Sequence, residues 1–232
     1  MGSPVYKLDV LIPTARFAFA VRGDRVEVMP EHRSPEAYVA YQDLKAREPV
    51  VGMTTFPNSV LLRGPKTIVV DPGLHLQNEP VVRALAARGV VPADVDLIAL
   101  THAHLDHAGA CADLFAPVAL HAAECDEPYW AAVAGMLAGR LRLLEGDEGE
   151  LVPGIAFVRT PGHSTGSVTF FVETDDGTTA ICGDTVGPLR ADFDAMRAPD
   201  EADGAQLLAS WQSIRARRPA RVVPGHVPPF AL

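Results

Sequence analysis

Short apolar runs, each ended by glycine, proline or a polar cluster, set the rhythm of this chain. Val60-Leu61-Leu62 and Ile68-Val69-Val70 flank Gly64-Pro65, so residues 58–63 and 67–70 predict a hairpin. Residues 95–100, 155–159, 167–173, 178–182 and 221–223 predict further strands, and Asp175-Asp176-Gly177 joins the third and fourth of these as a tight turn. Residues 5–10, 16–21 and 25–29 read as opening strands. Helical spacing is expected at residues 79–87, closed near Gly89, at the alanine- and leucine-rich residues 124–141, and at residues 202–215. Residues 30–57 hold Pro30, Pro35, Pro49 and Pro57 and show no β alternation. They read as an insertion with a short helix over residues 37–46, suited to a lid or to a contact in a homodimer. Strands that alternate with helices predict an α/β layered fold, with residues 1–232 as one domain.

The ends of these runs carry the chemistry. Thr101-His102-Ala103-His104-Leu105-Asp106-His107 follows the apolar Leu97-Ile98-Ala99-Leu100 and puts four potential metal ligands into six residues. Unpaired imidazoles and a carboxylate at the end of a core strand are costly, whereas the same groups suit zinc and similar divalent ions. Gly162-His163, Gly183-Asp184 and Gly225-His226 each follow another strand-like run. A glycine before the ligand lets the chain turn sharply and approach an ion closely. Five histidines and two carboxylates are too many for one tetrahedral zinc and fit two ions that share an oxygen ligand.

The run HxHxDH, a PGH, a GDT and a second PGH resembles the metallo-β-lactamase superfamily of hydrolases over about residues 55–232. The resemblance implies a four-layer αβ/βα sandwich with the site at one edge between two sheets. It implies that His102, His104 and His163 hold one metal, that Asp106, His107 and His226 hold a second, and that Asp184 bridges them. Asp71, in Val69-Val70-Asp71-Pro72-Gly73, would orient a ligand histidine by accepting its free N–H, or else is a turn aspartate. His32, His75 and His121 lie outside the constellation, and His121 reads as structural.

Composition narrows the function. With 48% hydrophobic residues the chain can bury a sizeable core, and its 19 glycines and 20 prolines mark element ends rather than a linker. No run of about 18 apolar residues predicts a membrane span, and no basic-then-apolar N-terminus predicts a secretory signal. The net charge of −9 argues against a nucleic-acid partner. The basic Arg215-Ala216-Arg217-Arg218 reads as a solvated helix end. Cys111, Cys125 and Cys182 have no metal spacing and suit a reducing, cytoplasmic setting.

Two divalent ions about 3.5–4 Å apart can hold a bridging hydroxide at neutral pH, which predicts hydrolysis of a small-molecule substrate. Zn2+ is expected, with Mn2+ or Fe2+ also compatible with the donor set. Asp106 is expected to be catalytic as well as a ligand, passing a proton to the leaving group. Small ester, lactone or thioester substrates are the first expectation. β-Lactamases of the family lack the bridging aspartate, glyoxalase II enzymes carry a C-terminal helical domain, and only six residues follow His226 here. Acyl-homoserine lactonases resemble the chain in ligand spacing but carry a tyrosine where Gly187 stands, unless Tyr38, Tyr41 or Tyr129 substitutes. A metal-dependent phosphodiesterase or nuclease, a mononuclear iron persulfide dioxygenase, and a non-catalytic metal-binding protein are the alternatives.

Overall fold

The structure is a computed structural model that describes residues 4–22, 25–28, 50–187, 190–198 and 204–232. In chain order the strands are β1 (Lys7–Ile12), β2 (Ala15–Arg22), β3 (Arg25–Val28), β4 (Val50–Phe56), β5 (Ser59–Arg63), β6 (Thr67–Val70), β7 (Leu97–Ala99), β8 (Val118–His121) and β9 (Leu141–Leu144). They continue with β10 (Glu148–Val152), β11 (Ile155–Arg159), β12 (Val168–Thr174), β13 (Gly177–Gly183), β14 (Arg221–Pro224) and β15 (Phe230–Ala231). The helices are α1 (Pro80–Ala86), the single turn α2 (Leu105–Ala108), α3 (Trp130–Leu137), α4 (Arg190–Ala195) and α5 (Gly204–Ala216).

Two six-stranded sheets form, in the orders β1-β5-β6-β7-β8-β9 and β10-β11-β12-β13-β14-β15. The predicted hairpins are present, with Arg63 opposite Thr67 and Thr174 opposite Gly177. The strands β6 to β9 run parallel, as do β13 and β14. Strands buried on both faces read as continuous apolar runs, as β6 and β7 do. In β5 and β6, Leu61 and Val69 face outward onto Val81 and Leu85 of α1 and Val133 and Leu137 of α3. Their neighbours Val60, Leu62, Ile68 and Val70 face inward and meet Phe157, Phe170, Val172 and Ile181 of the other sheet. The far face of that sheet, with Val158, Phe171, Ala180 and Val222, packs on Phe193 of α4 and Trp211 and Ile214 of α5. The layers are therefore helix, sheet, sheet, helix, a mixed α/β sandwich.

Several predicted boundaries are corrected. The first strand begins at Lys7 instead of residue 5, because the Tyr6 N–H donates to Glu173 O in the second sheet, 2.8 Å away. Residues 50–56, expected to lack β structure, form β4 and pair with β2 in a small sheet ordered β3-β2-β4. Their pattern is broken by Gly52 and Thr54-Thr55, so only the long-range pairing shows the strand. The helix expected at residues 124–141 shrinks to α3, since residues 122–126 form a 3-10 turn and Pro128 intervenes. Residues 141–144 and 148–152 become the edge strands β9 and β10, whose exposed positions hid the pattern. The helix expected at residues 37–46, His32, Tyr38, Tyr41 and the lid or dimer contact up to residue 49 lie outside the described residues. Among the described residues no helix is long and apolar enough to cross a membrane.

Candidate metal centre

Every predicted ligand follows the carboxyl end of a strand, on the same edge of the sandwich. β7 leads into His102, His104, Asp106 and His107; β11 leads to His163, β13 to Asp184 and β14 to His226. Open α/β sheets place ligands at these strand ends. α2 turns Asp106 and His107 back toward His102, and His104 stands at its N-terminus. Trp211 of α5 donates its indole N–H to Thr185 O at 2.6 Å, and Ser210 donates to Pro161 O at 2.7 Å. One helix thus steadies the two loops that carry Asp184 and His163. Gly183 sits at φ 49°, and a methyl added at Gly225 would overlap Asp184 Oδ1. Both glycines meet requirements that other residues fail.

The structure brings all seven side chains together. His104 Nδ1 lies 3.1 Å from His102 Nε2 and 2.9 Å from His163 Nε2. His226 Nε2 lies 3.2 Å from Asp106 Oδ2. Asp184 stands between, with Oδ1 3.4 Å from His107 Nε2, and Oδ2 3.6 Å from His163 Nε2 and 3.3 Å from His226 Nε2. Three groups have donor atoms within 4.8 Å of one another: His102, His104 and His163; His102, His107 and Asp184; Asp106, His107 and His226.

Electrostatics divides the cluster. Burial, reinforced by neighbouring His107, holds His102 well below the ordinary histidine range, and burial also lowers His104 and His163. Burial thus favours the neutral form of all three imidazoles. Burial opposes charge on His107 and His226 too, but Asp184 and Asp71 outweigh it at His107 and raise it well above that range. Hydrogen bonds to Asp106 and Asp184 push His226 up to about 9. Burial also works against the Asp184 carboxylate, yet His107 and His226 hold it well below the usual range. Asp106 is lowered as well, against its burial, chiefly by its hydrogen bond with His226.

The donor set fits divalent ions. His107 Nε2 and Asp184 Oδ1 are buried without a hydrogen-bond partner among the described residues. Such orphaned atoms are rare in native structures and mark a site for a further group. Five imidazoles and two ionised carboxylates in one cluster favour positive charge at its centre.

The surrounding residues have clear places. Asp71 is buried at φ 47°, a conformation that costs a non-glycine residue on the order of 1 kcal/mol. Its carboxylate accepts the Thr101 N–H at 2.8 Å and the Thr101 hydroxyl at 2.7 Å, and pairs with His107 Nδ1 at 2.9 Å. Tyr129 reaches the cluster, its ring 4.1 Å from that of His104, but its hydroxyl donates to Glu124 at 2.9 Å. His121 uses both ring nitrogens on backbone, with Gly146 O and the Ala123 N–H, and His75 pairs with Asp113 near the surface. Burial pushes the Cys111 thiol up to about 12 and raises Cys182 further, so neither is a thiolate donor. Arg215 donates to Phe193 O and Arg217 to Glu148, which spends both cations within the molecule.

Sequence reading missed two buried polar residues. Asn58 donates to Pro224 O at 2.7 Å and Val227 O at 2.8 Å, and accepts the Thr14 N–H at 2.9 Å, fastening the His226 loop to the first sheet. Glu124 lies beneath the other histidine loops. A polar residue beside a β-type run was the only signal for either.

Comparison with known proteins identifies the family. Metallo-beta-lactamase domain-containing protein 1 of Homo sapiens is 32% identical over 180 residues, covering 72% of this chain. The chain spans 60% of that relative's length. An N-acyl homoserine lactonase of a Bacillus species is 30% identical over 145 residues, covering 59% of this chain and 53% of its own. The solved structure of AidC, a dizinc quorum-quenching lactonase in complex with a product, superposes with a TM-score of 0.62 at 16% identity, covering 97% of this chain and 91% of that one. Residues 53–226 match the Metallo-beta-lactamase superfamily, and the chain belongs to that superfamily.

Proposed function

We propose that this protein is a dinuclear metal-dependent hydrolase of small ester, lactone or thioester substrates. The carrying observation is the position of Asp184, whose two carboxylate oxygens lie within 3.6 Å of ring nitrogens from both imidazole groups. A shared carboxylate between two donor groups suits a pair of ions. In this reading His102, His104 and His163 would hold one ion, Asp106, His107 and His226 would hold the other, and Asp184 would serve both. Nitrogen and oxygen donors of this kind favour zinc, and manganese or iron(II) accept them too. Bound divalent ions supply a water nucleophile ionised at neutral pH and a Lewis acid for the scissile carbonyl.

The chain's own groups then divide the work. Of the two carboxylates in the cluster Asp106 is the more open to solvent, its side chain 27% exposed against 15% for Asp184. It takes the proton released in the attack and passes it to the leaving oxygen or sulfur. Asp71 holds His107 in one orientation. Tyr129 supplies an aromatic wall beside His104, and its hydroxyl is engaged by Glu124. Support for an ester or lactone comes from the lactonase relatives, and the net charge of −9 disfavours polyanionic substrates.

Turnover of an aryl ester, an acyl lactone and a bis-aryl phosphodiester, before and after chelation, tests this reading. We expect chelator-sensitive ester or lactone hydrolysis that returns when zinc is added back. Phosphodiester turnover alone, or ester hydrolysis indifferent to chelation, contradicts it.

A further inference from the structure

Glu124 is fully buried and, among the described residues, is the most heavily hydrogen-bonded carboxylate outside the ligand set. Four donors converge on it. Oε2 accepts the Ala103 N–H at 2.7 Å and the Tyr129 hydroxyl at 2.9 Å. Oε1 accepts the Ser164 hydroxyl at 2.5 Å and the Gly166 N–H at 2.9 Å. A carboxylate has about four acceptor sites, and a buried one is tolerated when they are filled.

The identity of the donors is the informative part. Ala103 lies between His102 and His104, Ser164 follows His163, and the Tyr129 ring packs on His104. Gly166 closes the His163 loop, and a side chain there would strike Glu124 N at 2.6 Å and Oε1 at 2.9 Å. Ser164 is fixed again by Ser167, whose hydroxyl is 2.6 Å away. The carboxylate therefore ties the loop after β7 to the loop after β11, the two that supply the three-histidine group.

We propose that Glu124 is the positioning residue of the three-histidine half: its carboxylate sets the distance and orientation between His102 and His104 on one loop and His163 on the other. The proposal rests on the reading that these histidines hold an ion. Each oxygen of Glu124 accepts one backbone N–H, and a backbone N–H cannot rotate away. Glu124→Gln must then set an amide NH2 against either Ala103 or Gly166, donor against donor, at nearly unchanged volume. One loop has to move.

Cobalt(II) titration of the metal-free protein, followed by visible absorption, tests this in two backgrounds. His226→Ala leaves the three-histidine half, and His163→Ala leaves the other. We expect Glu124→Gln to weaken cobalt binding about 10- to 100-fold in the first background, with a shifted absorption band, and to leave the second unchanged. Should Glu124→Gln fail to fold, Ser164→Ala and Tyr129→Phe each remove one donor and keep the carboxylate. They are expected to loosen the same half by less. Unchanged cobalt affinity and spectrum in the His226→Ala background overturn the proposal, as does an equal loss in both backgrounds, which marks general destabilisation. Failure of the unsubstituted chain to take up any cobalt removes the metal-centre reading itself, and the proposal with it.

Discussion

The two halves of the cluster are built from the same residue types and held by opposite means. His102, His104 and His163 come from loops of different sheets, are kept neutral by burial, and meet over Glu124. Asp106 and His107 come from one helical turn, join His226, and lean on carboxylates, with Asp71 behind His107. The first half needs a tie between its two loops, because its neutral imidazoles carry no charge to draw them together. The second also joins two loops, but its opposite charges draw His226 to Asp106 and Asp184, and Asp71 orients His107.

Breaking what the halves share has the largest expected effect. Asp184→Asn removes the carboxylate between them and should cost at least about 100-fold in turnover, beyond what loss of a supporting partner costs. Retained turnover with the fold intact by circular dichroism would refute the shared role. Asp71→Asn is the next test, since it presents an amide NH2 to the Thr101 and His107 donors. It should weaken the Asp106, His107 and His226 half about 10-fold or more in a zinc titration and spare the three-histidine half. Equal weakening of both halves contradicts the division.

The comparison sharpens with pH. Ions displace protons from their ligands. In the metal-free chain His226 holds its proton up to about pH 9, so an ion binding there releases it. The apparent affinity of that half should therefore rise at least about tenfold per pH unit from about pH 7, and it keeps rising past His226's own titration because His107 is raised as well. The three-histidine half, with its imidazoles lowered by burial, should stay flat over the same range. Parallel pH slopes in competition titrations of the two single-site variants would show that the charge difference is not real. Smallest of all, Asn58→Ala takes two amide donors from Pro224 and Val227 and should cost about 1–3 kcal/mol. Thermal unfolding should show a midpoint lower by several degrees.

The same contrast separates what could be read in the sequence from what could not. The candidate ligands were legible because a metal site would concentrate rare residue types: three histidines and an aspartate fall within six residues. The core strands were legible for a similar reason, since burial on both faces writes an unbroken apolar run such as Ile68-Val69-Val70. Edge strands β9 and β10 were not, because Arg142, Leu143 and Glu148 face solvent there and interrupt the pattern. The supports were harder still. Glu124 sits 39 residues before His163, and Asn58 lies 166 residues before the Pro224 carbonyl it holds. In a linear chain a buried glutamate and an exposed one look alike. Only the donors around Glu124 distinguish it.

Elemental analysis of the purified, unchelated protein tests the central claim most directly. Two divalent ions per chain are expected, zinc first, with one lost in His226→Ala or His163→Ala. A single iron per chain would contradict it, and oxygen uptake with a persulfide substrate would then replace the hydrolysis assays.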